Sequence, residues 1–193
     1  MSEPRRRPTA ADLAGARGRG VPDILAPGLR VVFCGINPSL YSAAVGHHFA
    51  RPGNRFWPAI HWAGFTDRQL SPDEDALLLR FGLGCTNLVA RATARADELD
   101  AAELRAGAER LTEMAERLRP EWLAVLGVSA YRAAFGQPKA AAGPRPERVG
   151  CAAVWLLPNP SGLNAHYQLP ALVAEYRRLR EAKSSNSAID GVY

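Results

Sequence analysis

Short apolar runs alternate along the chain with stretches in which apolar residues recur every third or fourth position. Arg30–Cys34 is β-branched and apolar and runs into Gly35-Ile36-Asn37-Pro38, which predicts a strand ending in a tight loop. Gly82–Val89 predicts a second, weaker strand, while Trp122–Leu126 stops at Gly127 and Ala153–Leu157 stops at Pro158. These runs are continuous rather than alternating, the pattern of strands covered on both faces. Helices fill the gaps. Residues 54–63 carry Phe56, Trp57, Ile60 and Trp62; Leu104, Ala108, Leu111, Ala115 and Leu118 keep helical spacing up to Pro120. Pro170 opens a last helix with Leu172, Val173, Tyr176 and Leu179 on one side. Arg177, Arg178, Arg180 and Lys183 crowd its C-terminal end, where the helix dipole favours cations. The order predicts an α/β fold, a three-layer α/β/α sandwich with a short, mainly parallel central sheet, and ligands at the carboxyl ends of its strands.

The ends of the chain read differently. Residues 1–20 are rich in Arg, Ala, Gly and Pro without period, and are expected to be a disordered basic tail with at most a frayed helix over 9–16. Residues 184–193 read as a second disordered tail, which leaves one domain over 21–183. With 193 residues, 47% hydrophobic and 22% charged, that domain is large enough to bury a core without disulfides or a structural metal. Formal charge is +5, but the first 20 residues hold five arginines against Glu3 and Asp12, so the basic balance says little about the folded surface. Cys34, Cys85 and Cys151 are scattered, with no CxxC or CxxH, the usage expected of free thiols in a reducing cytoplasm. No apolar run is long enough to span a membrane, and no apolar segment follows the N-terminal arginines, so no secretory signal is expected.

Two strand ends carry polar amides beside rigid backbone: Gly35-Ile36-Asn37-Pro38, and Pro158-Asn159-Pro160-Ser161-Gly162-Leu163-Asn164. If both strands are parallel and central, these loops face each other at one edge of the sheet. Taken singly, each also reads as an ordinary turn. Between them in sequence lies Gly46-His47-His48-Phe49-Ala50-Arg51-Pro52-Gly53-Asn54-Arg55. Adjacent histidines cannot face one metal as an i, i+4 pair does, which argues against a metal site. An aromatic ring among hydrogen-bonding groups suits a flat ligand better. The chain has no P-loop, no GxGxxG after a strand and no GxSxG.

These motifs, with Pro52-Gly53-Asn54-Arg55-Phe56-Trp57 between them, resemble the mismatch-specific uracil-DNA and thymine-DNA glycosylase family, from about Asp23 to Arg180. The resemblance implies a monofunctional DNA glycosylase of base excision repair, without metal or cofactor and monomeric, acting on double-stranded DNA with G·U or related mismatches. It implies that the base is flipped out of the duplex and its N-glycosidic bond hydrolysed to leave an abasic site. Asn37 then matches the catalytic asparagine, orienting and polarising water rather than removing a full proton. Phe49 matches the ring that stacks on the flipped base, with backbone N–H groups near Ile36 and Phe49 holding its oxygens, and Asn159 faces the leaving base. Leu163 matches the wedge that fills the gap in the stack; Gly162 and Asn164, beside Ser161, match positions whose backbone reads the orphaned guanine. Ser42 resembles uracil-preferring members, which implies poor use of thymine, whereas His48, Asn54 and Asn87 resemble the thymine-glycosylase pocket, which tolerates modified cytosines. Two departures stand out: Ser39 where glycine is usual after Asn-Pro, and no arginine near Ala165 in the wedge loop. Arg51, Arg55, Arg91, His166 or the tail arginines would then supply phosphate contacts. Two other readings fit the same residues: a mismatch-binding protein with little catalysis, and an unrelated α/β nucleoside or nucleotide hydrolase.

Overall fold

The computed structural model describes residues 7–183, so the first six residues and the tail expected over 184–193 lie outside the described residues. The chain runs α1 (Ala10–Gly15), β1 (Val31–Gly35), α2 (Leu40–Val45), α3 (Phe56–Trp62), a 3-10 segment (Pro72–Phe81), β2 (Leu83–Asn87), a short 3-10 turn (Ala96–Glu98), α4 (Ala101–Leu118), β3 (Trp122–Leu126), α5 (Val128–Phe135), β4 (Gly143–Val149), β5 (Ala152–Leu157) and α6 (Leu169–Glu181). The five strands form one sheet in the order β2-β1-β3-β5-β4. The first four are parallel, and β4 joins as an antiparallel edge.

Both faces of this sheet are covered, as the continuous apolar runs require. Alternate side chains of each strand go to opposite layers. Val31 and Phe33, Trp122, Ala124 and Leu126, and Trp155 and Leu157 pack with α3, α6 and the 3-10 segment. Val32 and Cys34, Leu123 and Val125, and Val154 and Leu156 pack with α4 and α5. Phe33 anchors the first layer, edge-on to Phe56 and Phe65 and stacked on Tyr176. The fold is the expected α/β/α sandwich. Cys34, Cys85 and Cys151 are free thiols, the first two buried.

Three elements depart from the sequence reading. β4 carries Pro144 and Pro146, and its alternating burial and shifted register fit an edge strand, where a missing N–H is tolerated. α2 and α5 are too short for periodicity to reveal them. The largest difference is at the N-terminus, where residues 9–20 are built into the fold rather than forming a disordered tail. Thr9 and Asp12 close a capping box on α1. Ala16 is buried against Ala43 and Ala92. Gly18 N–H donates to Ala92 O (3.0 Å) and Ala92 N–H to Arg19 O (2.8 Å), while Arg17 reaches Glu98 at 2.6 Å. The arm adds a short backbone ladder to the segment after β2.

A chain that begins at Gly20 is therefore expected to lose about 2 kcal/mol or more against urea, since two backbone hydrogen bonds and a buried alanine go with the arm. A chain that begins at Pro8 keeps these contacts and should be the more stable of the two. Amide exchange at Ala92 checks the cause: its protection should vanish only in the shorter form.

Candidate functional site

The parallel strands bring their carboxyl ends to one rim, and the order reverses between β1 and β3, the place where a crevice opens in such sheets. A cleft of about 490 Å³ lies there, lined at its floor by Gly35, Ile36, Asn87, Leu126 and Asn159. Ten of the residues singled out from sequence line it: Ile36, Asn37, Ser42, His48, Phe49, Asn54, Asn87, Asn159, Ser161 and Leu163. Gly162 and Asn164 sit on the same loop but outside the lining.

Asn37 follows β1 and is held by its amide nitrogen. Nδ2 donates to Arg91 O (3.0 Å) and to Thr93 Oγ1 (2.7 Å). A carbonyl can only accept, so the contact with Arg91 fixes which end of the amide is nitrogen. Oδ1 has no partner among the described residues. The Thr93 hydroxyl in turn donates a hydrogen bond to Arg95 O (2.7 Å). The segment carrying these acceptors is zipped to the extension of β1: Leu88 N–H to Gly35 O (2.8 Å), Val89 N–H to Ile36 O (2.9 Å) and Thr93 N–H to Pro38 O (3.3 Å). Thr93 escaped the sequence reading because nothing in a Thr-Ala-Arg stretch signals a contact 56 residues away.

The second wall comes from residues 46–55. Ser39 caps α2, and Gly46 ends it in the left-handed region (φ 77°). Ser42 is buried with its hydroxyl already engaged, accepting from Ala50 N–H (3.1 Å) and from Ser39 Oγ (3.1 Å). His48 is buried as well. Its backbone N–H donates to Asp75 (3.1 Å), and Nε2 lies 2.9 Å from Pro22 O, an acceptor that places the proton on Nε2. Burial pushes this imidazole below its ordinary range and keeps it neutral. Phe49 is held at φ 53°, a conformation uncommon for an aromatic residue, and its ring stacks on Phe56 at 4.0 Å. The Phe49 N–H has no partner among the described residues. Asn54 uses Oδ1 to accept from Phe56 N–H (2.9 Å) at the start of α3. Gly35 is required at the floor: a Cβ there would stand 2.7 Å from Asn87 Oδ1 and 3.4 Å from the Phe49 ring. Asn87 is buried with no side-chain hydrogen bond among the described residues.

The third wall is the loop after β5. Asn159 Oδ1 accepts from Ser161 N–H (2.9 Å), which leaves Nδ2 as its unspent group. Leu163 is 75% exposed at the rim. The Asn164 backbone is partly spent: its N–H donates to Ser161 O (3.0 Å) and its carbonyl accepts from Arg55 (2.8 Å), which leaves that oxygen one further lone pair. Of residues 161–164, Gly162 alone keeps both backbone groups unspent among the described residues. Arg55 is not the free surface cation expected. Nη1 donates to Tyr167 O (2.6 Å) and Nη2 to the carbonyls of Ser161 and Asn164.

Other cations near the cleft are also committed. Arg91 binds both oxygens of Glu103 and holds that carboxyl down at about 2. Arg95 pairs with Asp97 at 2.6 Å. Arg51 is the exception: it lines the cleft, and its guanidinium makes no hydrogen bond or ion pair among the described residues. No cluster of three or more His, Cys, Asp or Glu side chains among the described residues is arranged to hold a metal ion.

The profile of the Uracil DNA glycosylase superfamily matches residues 22–181, a stretch that contains every lining residue of this cleft but Val21. The chain belongs to that superfamily. Its members are DNA glycosylases, hydrolases of N-glycosyl bonds. The fold is also similar to the solution NMR structure of a "putative uracil DNA glycosylase" from Methanosarcina acetivorans. The TM-score is 0.55 and the identity 17%, over 84% of this chain and 98% of that one.

Within this superfamily site, the orientation of Asn37 depends on Thr93. Thr93→Val keeps the shape and removes the acceptor, so one Asn37 side-chain N–H proton is expected to move upfield in NMR spectra and to exchange faster with water. Thr93→Ser should leave it in place.

Proposed function

We propose that the chain is a monofunctional glycosylase that extrudes uracil from G·U pairs in double-stranded DNA and hydrolyses its N-glycosidic bond, with thymine a poor substrate and ethenocytosine or other modified pyrimidines within reach. One observation carries the reading: Asn37 spends its amide protons on Arg91 O and Thr93 Oγ1, so Oδ1 is the group left for the cleft. An amide oxygen accepts a hydrogen bond from water without taking a full proton at neutral pH. It orients the water against a sugar that is already developing positive charge. Negative charge grows on the departing uracil, and donors aimed at it stabilise the transition state. The Phe49 N–H, the Asn87 amide, Asn54 Nδ2 and Asn159 Nδ2 are among the unspent donors on the cleft wall. Phe49, backed by Phe56, offers a ring for the base to stack on.

Leu163 stands out from the rim as an apolar wedge for the vacated stack, and Gly162 offers the backbone that meets the orphaned guanine. Arg51 supplies a phosphate contact in place of the missing wedge-loop arginine. Ser42 bears on thymine through the loop it anchors, by setting how close Ala50 and Phe49 stand to a methyl group. The chain has two lysines, Lys139 and Lys183, and neither lines the cleft, so no Schiff base forms and the DNA strand is not cut.

A second reading, a mismatch binder with little catalysis, is favoured by one feature. The carboxylate on the cleft lining, Asp97, is paired with Arg95, so no free carboxylate serves as base. A duplex with a single G·U pair, incubated with the protein and heated in alkali, separates the two. We expect cleavage at the uracil only after alkali, and a loss of roughly 100-fold or more in rate for Asn37→Ala with duplex affinity retained. An intact strand from the wild-type protein would identify a binder, and a break before alkali would identify a lyase.

A further inference from the structure

We propose that Arg55 is the positioning residue of the wedge: it fixes the leucine-bearing loop to the wall that holds the base. This rests on the glycosylase reading above and deepens it.

The argument starts from what the loop lacks. Residues 158–168 have no regular secondary structure, and Leu163 at their tip is exposed. The loop's own hydrogen bonds are short-range: Asn164 N–H to Ser161 O, Ser161 N–H to Asn159 Oδ1, Leu163 N–H to Ser161 Oγ and Asn164 Nδ2 to Asn159 O. They shape the turn without fixing where the turn stands. Arg55 does that. Its backbone N–H donates to Pro160 O (2.9 Å), and its guanidinium reaches the carbonyls of Ser161, Asn164 and Tyr167, with Gln168 Oε1 at 3.5 Å. The planar, five-donor fork of arginine can serve several carbonyls at once, which a lysine ammonium at the end of a flexible stem cannot. None of these acceptors is a carboxylate, so the guanidinium charge stays uncancelled beside a loop that meets DNA.

A second contact locks the same pair of loops. A Cβ on Gly162 would stand 2.6 Å from Gly53 O, so backbone packs on backbone beside the wedge. Arg55 also opens α3, whose Phe56 backs the Phe49 ring. One residue thus ties the wedge and the floor of the base pocket into a single piece. A wedge on a freely moving loop would enter the stack and leave it again. A wedge held at a fixed distance from the pocket keeps the base out while the bond is broken.

The test has two readouts on Arg55→Met. Heteronuclear NOE values for the amides of Gly162, Leu163 and Asn164 report loop order without reference to activity. We expect them to fall while those of α3 hold. The single-turnover rate on a G·U duplex at saturating protein should drop about tenfold or more, and combining the change with Leu163→Ala should add little to the loss of either alone. Should Arg55→Met fail to fold, Arg55→Lys, which keeps the charge but not the fork, is expected to show the same pattern at smaller size. An unchanged loop, an unchanged rate with a loosened loop, or additive losses would overturn the proposal. Absence of cleavage by the wild-type protein would sink the glycosylase reading instead, and the NOE result would still stand or fall by itself.

Discussion

Two hydrogen bonds from Asn37 Nδ2 decide what this cleft presents. An asparagine amide has a donating and an accepting end, and rotation about its last side-chain bond exchanges them. By engaging the nitrogen with Arg91 O and Thr93 Oγ1, the fold leaves Oδ1 available. The acceptors are themselves held by backbone: the segment after β2 is zipped to the extension of β1 on one side and to the N-terminal arm on the other. The chemistry at the end of β1 therefore depends on a ladder of main-chain bonds that reaches back to residues 18 and 19.

The rest of the site follows from the parallel sheet. Strands that all point one way deliver their loops to one rim, so residues more than a hundred positions apart become neighbours. The rim is then stiffened by hydrogen bonds behind and along its walls. Asp75 and Pro22 hold His48, Ser42 holds Ala50, and Arg55 holds the loop after β5. The strained backbone at Phe49 sits in the middle of this support, where a surrounding network can sustain an unfavourable φ.

Much of this was legible in the sequence. The four parallel strands announced themselves as continuous apolar runs, because both of their faces are covered. The polar residues at the strand ends marked the rim, and ten of the twelve assigned to the base pocket and the wedge loop line the cleft. What was not legible is instructive. Residues 9–20 read as a tail because their attachment uses backbone hydrogen bonds and packed alanines, which leave no periodic trace. Thr93 is a small polar residue whose importance comes from a partner distant in sequence. Arg55 read as a surface cation because its acceptors are backbone carbonyls, invisible in residue types. The hydrogen bonds of the Asn164 backbone were hidden for the same reason. β4 was hidden by two prolines that only an edge strand accommodates.

The central claim is that a pyrimidine leaves the helix and enters the slot between Asn37, Phe49 and Asn159 while Leu163 takes its place. The most direct measurement is a structure of the protein bound to a duplex whose G·U uracil carries a 2′-fluoro sugar that resists hydrolysis. The account predicts the uracil ring stacked on Phe49, Leu163 inserted between the neighbouring base pairs, and a water held between Asn37 Oδ1 and the sugar carbon that bears the base. A uracil still paired within the helix, or DNA lying against another face of the molecule, would contradict it.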